Sequence, residues 1–230
     1  MIKAVIFDLD RTLLDRDASV EHFINDQFAR FEKSLNSVSR EAFTSRFIEL
    51  DEQGYRPKDQ VYQQLVHELA LGKGIEVKLY QDYQDSFKHH CIPFQGLQEV
   101  LLQLIANKYH LGLITNGKSR FQMDNMKALG IQPFFKTILI SELEGVKKPD
   151  PAIFERAMER MNQPPEACIY VGDHMEKDVQ AAENIGMTPV WKKDRQEEES
   201  LARYSIFHLS ELQPLLQKLN TKEERSCYSK

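Results

Sequence analysis

Residues 2 to 8, IKAVIFD, hold an apolar run, AVIF, that ends in an acid. A strand buried on both faces has that signature, because a parallel sheet covered on either side leaves no solvent face for alternating polar residues. After residue 15 the period changes. Val20, Phe23, Ile24, Phe28, Phe31 and Leu35 recur at helical spacing, as do Phe43, Phe47 and Leu50, then Val61, Leu65 and Leu69, then Tyr80, Tyr83 and Phe87. Ser, Gly and Pro punctuate these stretches, so a small helical bundle is expected over residues 16 to 91. Its stripes of Phe are the core of that bundle.

From Pro93 onward, helical and strand patterns alternate: LQEVLLQLIANK, HLGLITNG, RFQMDNMKALG, KTILISE, PAIFERAMERM, ACIYVGD, KDVQAAENIG, TPVW, SIFHL and SELQPLLQKL. Such alternation predicts an α/β fold, a Rossmann-like parallel sheet with helices on both faces. The first strand needs that sheet to pair its backbone. The helical block is therefore expected as an insertion after the first strand, giving a core domain of residues 1–15 and 92–220, an all-α cap of 16–91, and a flexible tail of 221–230.

Composition narrows the partners. The chain has 230 residues, 41% of them hydrophobic, enough for one large or two modest cores. Thirty Lys and Arg stand against 35 Asp and Glu for a formal charge of -5, with no long basic cluster, which disfavours nucleic acid as a partner. No stretch approaches a membrane span, and MIKAVIFDLD lacks the length and cleavage region of a signal peptide. Cys91, Cys168 and Cys227 are far apart and match no zinc or disulfide spacing. A soluble cytoplasmic protein is expected; its oligomeric state is not readable.

Parallel strands bind ligands at their carboxyl ends, so the residues just after each strand should converge. These are Asp8 and Asp10 after the first strand, then Thr115, Asn116 and Gly117, the segment Glu144 to Asp150, and Asp173. Gathered carboxylates repel unless a cation holds them together. Oxygen donors with room for water and phosphate suit Mg²⁺ better than zinc.

The motifs DLDRT at 8 to 12, ITNG at 114 to 117, KPDPAIF at 148 to 154 and GDHMEKD at 172 to 178 together resemble the haloacid dehalogenase-like hydrolases, most of which are magnesium-dependent phosphatases. The resemblance spans nearly the whole chain. It implies that Asp8 is the nucleophile, becoming an aspartyl phosphate, and that Asp10 is the acid and base. Thr115 would donate to a phosphate oxygen, with backbone N–H groups around Asn116 and Gly117 as further donors. Lys148, which the resemblance favours over Lys147, would supply a cation to the phosphoryl group. Mg²⁺ would be held by Asp8, Asp173 and, as the family implies, the Asp10 carbonyl. Asp178 would act from behind, orienting Lys148 or a metal-bound water. A small soluble phosphate ester is the implied substrate, enclosed when the cap closes.

Rival readings remain within the same fold. A haloacid dehalogenase would lack the second acid of the first motif, and a non-catalytic relative would ordinarily have lost the nucleophile or the acid; both are present here. A phosphomutase would keep the same residues and differ only in the acceptor. His89 and His90 read as solvated surface, and Asp15 and Asp17 as a hinge. Arg56 is a surface arginine within reach of an anionic substrate, His174 a neighbour of the site, and Glu197 to Glu199 an exposed loop.

Overall fold

Six strands are present in the computed structural model, which describes residues 1–194 and 202–227, with side chains through residue 221. They are β1 (Ala4–Phe7), β2 (His110–Thr115), β3 (Thr137–Ile140), β4 (Cys168–Gly172), β5 (Thr188–Lys192) and β6 (Ser205–Ile206). All pairs are parallel, in the order β3-β2-β1-β4-β5-β6. The apolar run that ends at Asp8 thus forms a central strand, with Phe7 opposite Leu113 on one side and Val171 on the other. The chain folds as the α/β, Rossmann-like class that the alternating pattern predicts.

Strand alternation divides the sheet's side chains between two cores. Ala4, Ile6, Ile114, Leu139, Cys168 and Tyr170 pack with Ile153, Phe154, Ala157, Met158 and Met161. The other face carries Phe7, whose ring meets Phe135 edge-on at 6.3 Å, and the helix Leu97–Ala106 covers β2. The helix Pro151–Met161 illustrates how local chemistry sets these elements. Asp150 caps it by accepting from Ala152 N at 3.0 Å, proline occupies the first turn, and Asn162 ends it in a left-handed conformation at φ 50°. Its five apolar residues at helical spacing face the sheet, the Ile, Phe and Met side chains among them contributing about 1.5–3 kcal/mol each.

Two compact units divide the chain: Met1–Leu14 with Pro93–Lys230, and Asp15–Ile92. The second contains four α-helices among the described residues, Arg16–Arg30, Arg40–Asp51, Lys58–Glu68 and Ile75–Ser86. Phe23 lies at its centre, with Tyr83, Phe87 and His90 rings at 5.3, 5.7 and 5.4 Å. A buried ion cluster ties the unit together: Arg16 donates twice to Asp51, at 2.8 and 3.1 Å, and Lys58 adds a contact of 2.6 Å. Burial pushes the Asp51 carboxyl up, but Arg16 and Lys58 outweigh it and leave its pKa lowered.

Several local expectations are corrected. His90 is not solvated surface: it packs against His22 (Nδ1 to Nδ1, 3.1 Å), Asp26 (3.3 Å) and Phe23. Asp15 is the N-cap of the helix Arg16–Arg30, accepting from Ala18 N at 3.1 Å. Arg56 is half-buried and donates to Gln64. The last helix continues from Leu212 through Cys227, where a tail from 221 is expected. Glu197 to Glu199 and residues 228–230 lie outside the described residues. No helix among those described is long and apolar enough to cross a membrane.

Candidate active site

Asp8 follows the last residue of β1, and its N–H donates to Val171 O at 2.9 Å, so the ladder itself fixes where its carboxylate emerges. Oδ1 accepts from Lys148 Nζ at 2.6 Å, and Oδ2 lies 3.4 Å from the Thr12 hydroxyl. Lys148 is buried while Lys147 is exposed, which separates the two adjacent lysines by geometry. The three hydrogens of the Lys148 ammonium meet three acceptors: Asp8 Oδ1, Asp178 Oδ1 at 2.7 Å and Tyr170 Oη at 2.9 Å. Burial works against the ammonium. Asp178 and Asp8 outweigh that cost and hold its pKa well above the usual lysine range.

The backbone of Lys148 is fixed separately. Asn116 Oδ1 accepts from Lys148 N at 2.9 Å and its Nδ2 donates to Lys148 O at 3.0 Å. Asn116 therefore clamps the segment carrying the lysine. Beside it, the Gly117 N–H is committed to Ser141 Oγ at 3.0 Å. In this structure that N–H, expected as a phosphate donor, meets a serine hydroxyl.

Asp178 lies on a wide helical turn, Met175–Gln180, whose first N–H groups are capped by His174 Nδ1 at 3.2 Å. Asp178 Oδ2 accepts from His174 N at 3.0 Å, while Oδ1 takes the lysine. Gly172 makes this possible: a Cβ there would fall 2.4–2.6 Å from the Asp178 side chain. Asp173 is held through its carbonyl, which accepts from Trp191 Nε1 at 2.6 Å.

Carboxylate oxygens of Asp8, Asp173 and Asp178 lie within 4.8 Å of one another. Burial first, then Asp178, raises Asp173 to about 7 despite Lys148 and Arg11. Burial pushes Asp8 well above the carboxylate range too, with Lys148 opposing and Asp178, Asp173 and Asp10 adding to the rise. One lysine cannot balance this many acids. A hard divalent cation fits, because every side-chain donor in the group is a carboxylate oxygen; Asp8 and Asp173 would hold it, each oxygen of Asp178 already accepting a hydrogen bond from Lys148 or His174.

A family model described as Haloacid dehalogenase-like hydrolase matches residues 5–192. The chain belongs to this family. A glyceraldehyde 3-phosphate phosphatase of Pyrococcus abyssi is 31% identical over 84% of this chain and 82% of its own. Pyrimidine 5′-nucleotidase YjjG of Escherichia coli is 32% identical over 60% of this chain and 63% of its own. Among solved structures, a HAD phosphatase from Thermococcus onnurineus superposes with a TM-score of 0.66 at 27% identity, covering 94% of this chain and 98% of that one.

Two members of the site have no counterpart in the sequence motifs. Tyr170, inside β4, gives Lys148 its third acceptor. Gln122 (2% exposed) reaches Asp10, Thr115 and Asn116 together. A signal for Gln122 did exist: Gln122, Asn125 and Met126 form the buried stripe of the helix Ser119–Ala128, and amides on an inward stripe ask for partners.

Proposed function

We propose that this haloacid dehalogenase-like hydrolase is a Mg²⁺-dependent phosphomonoesterase that passes the phosphoryl group of a small soluble ester through Asp8. The observation that carries the reading is a buried carboxylate at the end of the central strand, bonded to a fully coordinated lysine, with two further acids alongside. Asp8 attacks phosphorus in line while the ester P–O bond breaks, and Asp10 protonates the departing alkoxide. Asp10 then takes a proton from the water that opens the aspartyl phosphate, returning Asp8 as a carboxylate with release of inorganic phosphate. Lys148 places positive charge beside both the nucleophile and the transferring group, and Thr115 donates its hydroxyl to a phosphate oxygen. Bound Mg²⁺, held by Asp8, Asp173 and the Asp10 carbonyl, supplies the remaining positive charge for the phosphate oxygens. Asp178 keeps Lys148 aimed.

The likeness to a glyceraldehyde 3-phosphate phosphatase makes a triose phosphate the first substrate to test, and the likeness to a pyrimidine nucleotidase makes pyrimidine 5′-nucleotides the second. The test is release of inorganic phosphate from these esters and from p-nitrophenyl phosphate, with Mg²⁺ and with chelator. Asp8→Asn should abolish turnover without lowering the melting temperature. Turnover retained by Asp8→Asn, or no phosphate release from any monoester with Mg²⁺ present, overturns the reading.

A further inference from the structure

We propose that Gln122 is a positioning residue that sets the acid/base Asp10 and the phosphate-binding Thr115 from one amide, a role that rests on the phosphatase reading above. Gln122 Nε2 lies 2.7 Å from Asp10 Oδ2, 2.7 Å from Thr115 Oγ1 and 3.2 Å from Asn116 O. Asn125 Nδ2 approaches Gln122 Oε1 at 3.4 Å, so a second buried amide sets which end faces Asp10. An NH₂ group has two hydrogens to give. One goes to the Asp10 carboxylate and the other is shared between Thr115 and the Asn116 carbonyl.

Each bond constrains a reacting group. Holding Asp10 Oδ2 fixes the rotation of the carboxyl group, and with it the direction in which the other oxygen delivers its proton. A threonine hydroxyl that accepts from the amide must send its own hydrogen elsewhere, which turns Thr115 into an oriented donor. The amide therefore couples the atom that protonates the leaving group to the atom that steadies the phosphoryl group, across 105 residues of chain. Gly117 belongs to the same device. At φ 150°, a Cβ there would meet Gln122 Cγ, Cδ and Nε2 at 3.1–3.2 Å, so the glycine keeps the path of the glutamine open.

A buried glutamine that only fills space would lose activity equally on all esters when replaced. A glutamine that aims the acid would not, because an alkyl leaving group needs Asp10's proton and a nitrophenolate does not. The experiment measures kcat/KM, which reports phosphoryl transfer to Asp8, for glycerol phosphate and p-nitrophenyl phosphate with Gln122→Met and Gln122→Glu. Both variants should lose about 10- to 100-fold on the alkyl ester, the scale of a misaligned proton donor, and several-fold less on the aryl ester. Equal losses on the two esters, or rates like those of the wild type, overturn the proposal. Gln122→Glu keeps the shape, so a loss common to both variants cannot come from a cavity.

A second arm needs no turnover. The side-chain amide signals of Gln122 in ¹H–¹⁵N spectra, identified by their disappearance in Gln122→Met, should shift in Asp10→Asn; an unshifted pair overturns the proposal. A protein inert towards every phosphate monoester with Mg²⁺ present would refute the phosphatase reading, and the amide signals would still decide whether Gln122 holds Asp10.

Discussion

Replacing Asp173 by Asn tests the charge argument on which the metal assignment stands. The cation-free site raises Asp173 from its usual 3.8 to about 7, through burial and Asp178. A carboxyl whose folded pKa lies above its unfolded one favours folding while protonated, and that contribution is lost as pH rises from the unfolded value through the folded one. For 3.8 and about 7, the ionised group costs the folded state roughly 4 kcal/mol at pH 8 and about 2 kcal/mol at pH 5. Asn mimics the protonated acid at every pH. In chelator, Asp173→Asn should therefore be more stable than the wild type by about 4 kcal/mol at pH 8, and the difference should shrink towards zero near pH 4.

Urea denaturation of both proteins from pH 4 to pH 8, with chelator and with Mg²⁺, reads this directly. Added Mg²⁺ should stabilise the wild type at pH 8 and remove most of the gap, and it should stabilise Asp173→Asn far less. A variant less stable than the wild type in chelator at pH 8, or a gap that does not change with pH, would show that Asp173 is comfortable as an anion without a cation. The case for a metal here would then collapse.

Three other predictions follow from the geometry. Lys148→Ala should lower kcat by at least about 100-fold while Lys147→Ala changes it little, because only the former meets Asp8; steady-state assays that give the reverse order would move the role by one residue. Gly172→Ala puts a Cβ within 2.4–2.6 Å of Asp178 and should cost about 1–3 kcal/mol in chemical denaturation, together with activity, since Asp178 aims Lys148. Arg16→Met leaves Asp51 buried with only Lys58 for charge, and should destabilise by about 3–5 kcal/mol near neutral pH. Because Asp51's pKa is lowered in the fold, that loss should diminish as pH falls below the usual carboxylate range, which denaturation at two pH values would show.

Much of this could be read in advance where the signal was local. The run ending at Asp8 is the central strand, Thr115 closes β2, and Asp173 directly follows β4, because apolar period and strand-end chemistry are properties of a few consecutive residues. The partners of Lys148 were harder to read. Asp178 could be suspected from its closeness to Asp173, but Tyr170 reads as one more apolar strand residue until β4 is laid beside β1 and its hydroxyl is seen to reach the ammonium. Asn116 was expected at the site through its backbone N–H; that its side chain spends both of its polar ends on the Lys148 backbone had no local signal. Position after a strand says that a residue is at the site, not which way it faces.

The glycines carry this point furthest. Gly117 and Gly172 both stand in the motifs, and a turn requirement would account for either one taken alone. In the fold, each marks a place where another side chain passes: Gln122 over Gly117 and Asp178 over Gly172. The visitor comes from five or six residues further along, from the first turns of the helical segment that follows each strand. A strand, a glycine and a helical turn that folds one polar side chain back over the glycine thus occur twice in this sheet. On one side of β1 the returning residue bonds Asp10; on the other it bonds the lysine that bonds Asp8. The two acids of VIFDLD are each steadied from a different neighbouring strand. That division explains how like charges two residues apart are held to separate tasks: one faces a cation that is always present, the other an amide that holds it without neutralising it.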